Sequence, residues 1–153
     1  MTTLIQGAQM RALLFGIRVS RSTAALPQTT TGALFTVTGG RILLTSIVGE
    51  VTTGIQAQAN AVKLRATPTT GSVNDLSGTV DVNGAAAGAL LGATGLAGDA
   101  LVLSTGGGVS NLRNPIVVAI GSIGLNTAAS NTGSVKWDIT YIPLDDAATV
   151  AAA

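Results

Sequence analysis

Asp81-Val-Asn83-Gly84 comes closest in residue type to a metal site. An acidic residue followed by Asn and Gly could begin a calcium loop, which also needs further oxygen ligands and a closing glutamate. Those are missing, and Asn-Gly is explained by a turn. Asp145-Asp146 could ligate a cation if a neighbouring chain added oxygens; acidic residues beside a C-terminal tail explain them more simply. Hydrolysis by two carboxylates needs a pair held at defined separation. Glu50, Asp75, Asp81, Asp99 and Asp138 are available, and no motif pairs any two. Nothing marks a Ser-Lys dyad among the many serines. Gly106-Gly107-Gly108 lacks the lysine and the following helix of a phosphate-binding loop. Trp137 and Tyr141 share a strand face that could bind a sugar, although at that spacing such residues are more often core. The chain has no histidine and no cysteine, which removes the commonest general base and disulfide, thiolate-zinc and cysteine-nucleophile chemistry. No catalytic, cofactor-binding or metal residue is assigned, and the expectation is a protein that is not an enzyme.

The elements that would position a site are strands. Val62, Leu64 and Ala66 alternate with Lys63, Arg65 and Thr67; Val135, Trp137, Ile139 and Tyr141 alternate with Lys136, Asp138 and Thr140. A period of two places successive side chains on opposite sheet faces, so both strands have one buried and one wet face. Phe15-Ile17-Val19 and Phe35-Val37 alternate less regularly. Ile42 to Val51 is more continuously apolar and reads as covered on both faces. Leu76–Val82, Ala100–Ser104 and Ile116–Ile123 complete the set of candidate strands. Val, Ile and Thr dominate, as pleated surfaces favour. Gly39-Gly40, Asn83-Gly84, Pro68 to Gly71 and Asn131 to Gly133 supply turn signals, and Gly106 to Gly108 reads as a loop tip. Residues 33 to 53 thus read as a hairpin about Gly39-Gly40. One short helix is expected over Gly54 to Ala61. The fold class is all-β: a single-domain antiparallel β-sandwich or jelly roll over 13–143, with flexible arms at 1–12 and 144–153.

Composition bounds the function. The chain has 153 residues, which suits one domain with a real core. Charged residues make up 10%, against about 25% in a typical domain. So few charges point to a surface covered by copies of the chain or by a larger partner. The eight basic residues are scattered, with 3% aromatics, so nucleic acid is not an expected partner. Mean hydropathy is +0.53. Yet the charge-free interval from Asn114 to Val135 is interrupted by Pro115, Ser122, Asn126, Ser130 and Asn131, so no membrane span is expected. The Gly84, Gly88, Gly92 spacing resembles a helix-packing motif, but its strand-like flanks favour a flexible Gly/Ala loop. The start, MTTLIQGAQMRALLFGIRVSR, lacks a basic leader and has its apolar run broken by Arg11 and Arg18, so export through a signal peptide is not expected.

Three segments carry a resemblance: "TTGALFTVTGGRILLTSIVGEVTT", "IQAQANAVKLRATPTTG" and "AASNTGSVKWDITYIPLDD". Together they resemble a group of small tailed-bacteriophage virion proteins, over roughly residues 30 to 146. Small, Cys-free, Ala/Gly/Thr/Val-rich β proteins of this kind resemble capsid decoration, or cement, proteins. Residues 83 to 110 match least. The resemblance implies a homotrimer on the outer surface of the head shell, assembled in the host cytoplasm, clamping major capsid protein subunits across their junctions. It implies no cofactor and carries over no catalytic residue. A tail, head-fibre or receptor-binding component and a carbohydrate-binding β module are the alternatives.

Overall fold

A computed structural model describes residues 6–153. They form one short helix, α1 (Gly7–Phe15), and twelve strands: β1 (Ile17–Ala25), β2 (Thr31–Thr38), β3 (Ile42–Thr53), β4 (Ala61–Pro68), β5 (Asn74–Asp75), β6 (Val80–Asp81), β7 (Leu90–Gly92), β8 (Val102–Ser104), β9 (Ile116–Val118), β10 (Gly121–Thr127), β11 (Ser134–Pro143) and β12 (Thr149–Ala152). Two sheets pack face to face. The first runs β1-β11-β3-β7-β8, with β9 also on β3; the second runs β12-β2-β10-β4-β5, with β6 also on β4. Every named pair is antiparallel. The expected all-β sandwich is the fold observed.

The alternation sets the core. Val135, Trp137, Ile139 and Tyr141 of β11 and Ile42, Leu44, Ile47 and Val51 of β3 point inward from the first sheet. Phe35 and Val37 of β2, Val62 and Leu64 of β4, and Ile123 and Leu125 of β10 meet them from the second. Trp137 stands opposite Gly49 on β3, and a Cβ at Gly49 would lie 2.9 Å from the indole ring. Glycine there leaves the ring its space. The outward residues of β3 are half-buried and alternate with buried ones, so the strand has one core face rather than two covered faces.

Several expectations change once strand partners are known. Residues 33 to 53 do not form a hairpin. β2 pairs with β10 and β12, whereas β3 pairs with β11, β7 and β9, so the Gly39-Gly40 turn carries the chain from one sheet to the other. Both strands face the same core from opposite sides, which alternation alone does not distinguish from pairing. Ile116–Ile123 likewise splits, with β9 in the first sheet and β10 in the second. Of Leu76–Val82 only Val80–Asp81 is strand, as β6; β5 ends just before it, and Leu76 and Ser77 between the two are buried.

The expected helix over Gly54 to Ala61 is a loop as far as Asn60, and Ala61 opens β4. Its polar groups find partners elsewhere: Ile55 N–H donates to Ala85 C=O at 2.8 Å, and Asn131 Nδ2 donates to the Gln58 carbonyl at 2.8 Å. An eight-residue helix would bring few internal hydrogen bonds for its nucleation cost. The Gly/Ala stretch from 82 to 98 is a turn-rich loop enclosing β7, held to β3 by Val51 N–H on Ala89 C=O and Gly88 N–H on Val51 C=O.

The termini also differ from free arms. Residues 149–152 form β12 on the edge of the second sheet, with Ala148 and Val150 buried. Val150 N–H donates to the Tyr141 hydroxyl at 3.3 Å. At the other end, α1 runs past the expected arm boundary at residue 12 to Phe15, so Phe15 is helical and β1 begins at Ile17. Residues 1–5 of the expected arm lie outside the described residues.

Candidate interaction surface

Most of the carboxylates considered for chemistry already have partners within the chain. Lys136 Nζ lies 2.8 Å from Glu50 Oε2, on directly opposed positions of β11 and β3. Asp75 accepts from Lys63 Nζ at 2.6 Å and from Arg65 Nε at 2.8 Å. These two hydrogen bonds, Lys63 first, hold its carboxyl below the ordinary value against a smaller opposing effect of burial. Asp138 accepts from Arg18 Nη2 at 2.7 Å and from the Ser20 hydroxyl. Burial is the largest single influence on Asp138 and favours its neutral form. The Ser20 and Arg18 hydrogen bonds, with the charges of Arg18 and Lys136, together outweigh it, and the carboxyl is lowered. Asp145 binds the Arg41 side chain at 3.1 Å and the Arg41 backbone N–H at 2.7 Å. These contacts lower the Asp145 carboxyl and raise the Arg41 guanidinium.

Asp81 caps a turn rather than opening a calcium loop: its Oδ1 accepts the backbone N–H groups of Asn60 at 2.8 Å and Asn83 at 3.0 Å. Asp99 accepts from the Thr94 hydroxyl at 2.8 Å. Asp146 is exposed beside Asp145. Among the described residues no three acidic side chains gather as metal ligands would. Trp137 is 1% exposed and offers no ring face for a sugar to stack on, and Tyr141, further along the same strand face, is buried as well. A crevice of about 210 Å³ between the start of β2 and the end of β1 reaches down to Trp137. It is lined largely by small and apolar residues. Gly106 to Gly108 is an exposed loop tip, as expected.

What the fold does present is an apolar surface around α1. The segment GAQMRALLF is rich in good helix formers, and the Gln9 side chain accepts the Gln6 backbone N–H at 2.9 Å at its start. The helix stops at Gly16, whose φ of 99° suits glycine and whose backbone lies so close to the Tyr141 carbonyl that a Cβ would collide with it. The Thr45 hydroxyl donates to the Phe15 carbonyl at 3.0 Å and so tethers the last turn. Thr45 is the extra residue where β3 bulges against β11.

The helix is turned inside out relative to an ordinary amphipathic helix. Ala12 and Gly16 line both grooves that flank it, of about 620 and 490 Å³, and of the two only Gly16, just past the helix end, is buried. No residue of α1 is buried. Met10, Leu13, Leu14 and Phe15 are 53%, 74%, 69% and 65% exposed. Ile17, Ile142 and Leu144 extend the apolar area onto the sandwich. On the outer face of the first sheet, Ile142, Leu43 and Val117 are directly opposed on three neighbouring strands and continue it as a row. Neighbouring strands lie about 4.8 Å apart, so these side chains touch one continuous surface. Further along that face the chemistry changes to Thr140 and Ser46, then to the Asp138 and Glu50 ion pairs.

The sequence gives residues 1–12 the character of an arm ordering on neighbours. It does not single out Leu13, Leu14, Ile142 or Val117. The run of large apolar residues beside small ones at Ala8, Ala12 and Gly16 is the signal that could mark the helix. Comparison with family models, with curated proteins and with solved structures finds no match to this chain.

Proposed function

We propose that this chain is a non-enzymatic virion structural protein: a bacteriophage capsid decoration, or cement, protein that sits as a homotrimer on the outer surface of the head and binds major capsid protein across subunit junctions. The observation that carries the proposal is the unpartnered apolar surface made by α1 and the Ile142-Leu43-Val117 row. A contiguous apolar patch of this kind on a small protein marks an interaction site. A nine-residue helix with no buried residue also gains little from its own domain and needs a partner to hold it. The resemblance of the three segments to phage virion proteins supplies the kind of partner.

The rest of the surface suits the role. Five of the eight basic side chains, those of Arg18, Arg41, Lys63, Arg65 and Lys136, are already paired with four acidic neighbours within the chain, Lys63 and Arg65 sharing Asp75. Threonine, serine and paired charges cost less to cover than isolated charges do. Several copies held together bind several shell subunits at once, so modest individual contacts add. The role needs neither cofactor, nucleic acid nor membrane; among the described residues no helix is long and apolar enough to cross a bilayer.

The test uses shells of the parent phage that lack this protein. Purified chain added back is expected to co-sediment with them and raise their heat resistance, and Val117→Asp, in the exposed sheet row, is expected to do neither. Labelled chain found on tails rather than heads by electron microscopy would replace the decoration role with that of a tail or fibre component.

A further inference from the structure

We propose that the occupant of the larger groove beside α1 is the α1 helix of a second copy of this chain. Resting on the proposed homotrimer, the inference names the contact that builds it. The groove runs between α1 and the end of β11; Leu13, Ile17, Ile142 and Pro143 form its apolar walls, and its volume is about 620 Å³. The resident helix leaves it open: Leu13 forms one wall and is itself 74% exposed, while Met10 and Leu14 do not line the groove at all. Those same side chains, Met10, Leu13 and Leu14, are the chemistry such a groove takes.

Charge points to a copy rather than to an unrelated apolar partner. Arg11 is the sole ionisable side chain of α1 and has no ion-pair partner among the described residues. Asp146 lies two residues beyond Leu144, just past the strand end that walls the groove, and among the described residues has none either. A helix entering from another copy carries one positive charge, and the chain leaving the Pro143 wall of the groove carries one uncompensated negative charge three residues on. The formal net charge of +1 per chain leaves little long-range repulsion between copies. Helix into groove is a head-to-tail contact, and head-to-tail contacts close into rings when the rotation allows. A ring of three satisfies every helix and every groove.

The chain has no cysteine, so single introduced thiols report cleanly. Leu13→Cys chains are mixed with Ile142→Cys chains and treated with a short bis-maleimide, which can join the two variants only between copies. The expected result is a covalent heterodimer of the two variants, linked between positions 13 and 142, in high yield. Adding Arg11→Glu to the Leu13→Cys chains should lower that yield roughly two- to fivefold, and adding Asp146→Arg to the Ile142→Cys chains should restore it. Wild-type chain that assembles by light scattering while the mixed variants fail to link would overturn this inference and leave the trimer standing. Linking that is indifferent to Arg11→Glu would overturn the Arg11–Asp146 pairing. Wild-type chain that remains monomeric at its highest soluble concentration would overturn both the helix exchange and the trimer.

Discussion

Trp137 and Gly49 show how single residues decide this fold. The indole is 1% exposed and lies over a glycine on the neighbouring strand. Trp137→Ala should remove about 3–5 kcal/mol of stability by leaving a cavity at the centre of the sandwich, whereas Gly49→Ala should cost about 1–3 kcal/mol by crowding the ring. Urea unfolding of the two variants measures both, and the Gly49→Ala loss should shrink in a Trp137→Leu background, where the ring is gone. The buried side of this pair is legible in the sequence, because Val135, Trp137, Ile139 and Tyr141 alternate with polar residues. Its partner is not: nothing local ties Gly49 to a residue 88 positions away, and only strand register brings them together. The acidic residues teach the converse. Asp75, Asp138 and Asp145 are candidates for chemistry by type, but cross-strand register gives the first two a basic neighbour, and Asp145 meets Arg41 just past the end of the β11–β3 ladder.

Among the elements, strands are easier to find than their partners. β4 and β11 stand where alternation places them. The Gly39-Gly40 signal suggests local pairing, although the chain there passes between sheets. Alternation reports which face is buried, and two strands on opposite sheets that share one core give the same pattern as two paired strands. Helix formation is hard to place for a related reason. GIQAQANA and GAQMRALLF both contain good helix formers, but the backbone of the first finds hydrogen bonds in surrounding loops, whereas the second has only weak contacts with the sandwich and follows its own propensity. β12 leaves no mark in the sequence because TVAA is short and small. Its place depends on Val150 filling the end of the core and on the Tyr141 hydroxyl receiving its N–H. Val150→Asp should therefore cost about 2–3 kcal/mol, as burial of an unpaired charge does, with a lowered thermal midpoint as the readout. Ala151→Asp, on the exposed side of the same strand, should stay within about 0.5 kcal/mol of wild type.

For the whole molecule, most of the few charges are spent on internal pairs, and much of the remaining surface is neutral or apolar. The pairs set the response to acid. The carboxyls of Asp75, Asp138 and Asp145 lie below the ordinary value in the folded chain, so the folded state holds their protons less tightly than the unfolded state does. Their contribution is complete above about pH 5 and is lost as pH falls from the ordinary carboxyl pKa of about 3.9 through the lowered values. The unfolding midpoint should be flat from neutral pH down to that region and then fall. Asp138→Asn should flatten part of the fall, and high salt should reduce the contribution of the exposed Arg41–Asp145 pair. A shortage of charge is legible from composition alone, and it points to a covered surface without saying where. The structure locates the apolar part at α1 and the adjoining end of the first sheet. The most direct measurement of that claim is the solution mass of the wild-type chain beside Leu13→Asp/Leu14→Asp, with thermal unfolding of both. A discrete trimer for the wild type, reduced to monomer in a variant whose unfolding midpoint is unchanged, is the predicted result. A wild-type monomer, or a trimer indifferent to two aspartates on the helix, would contradict the account.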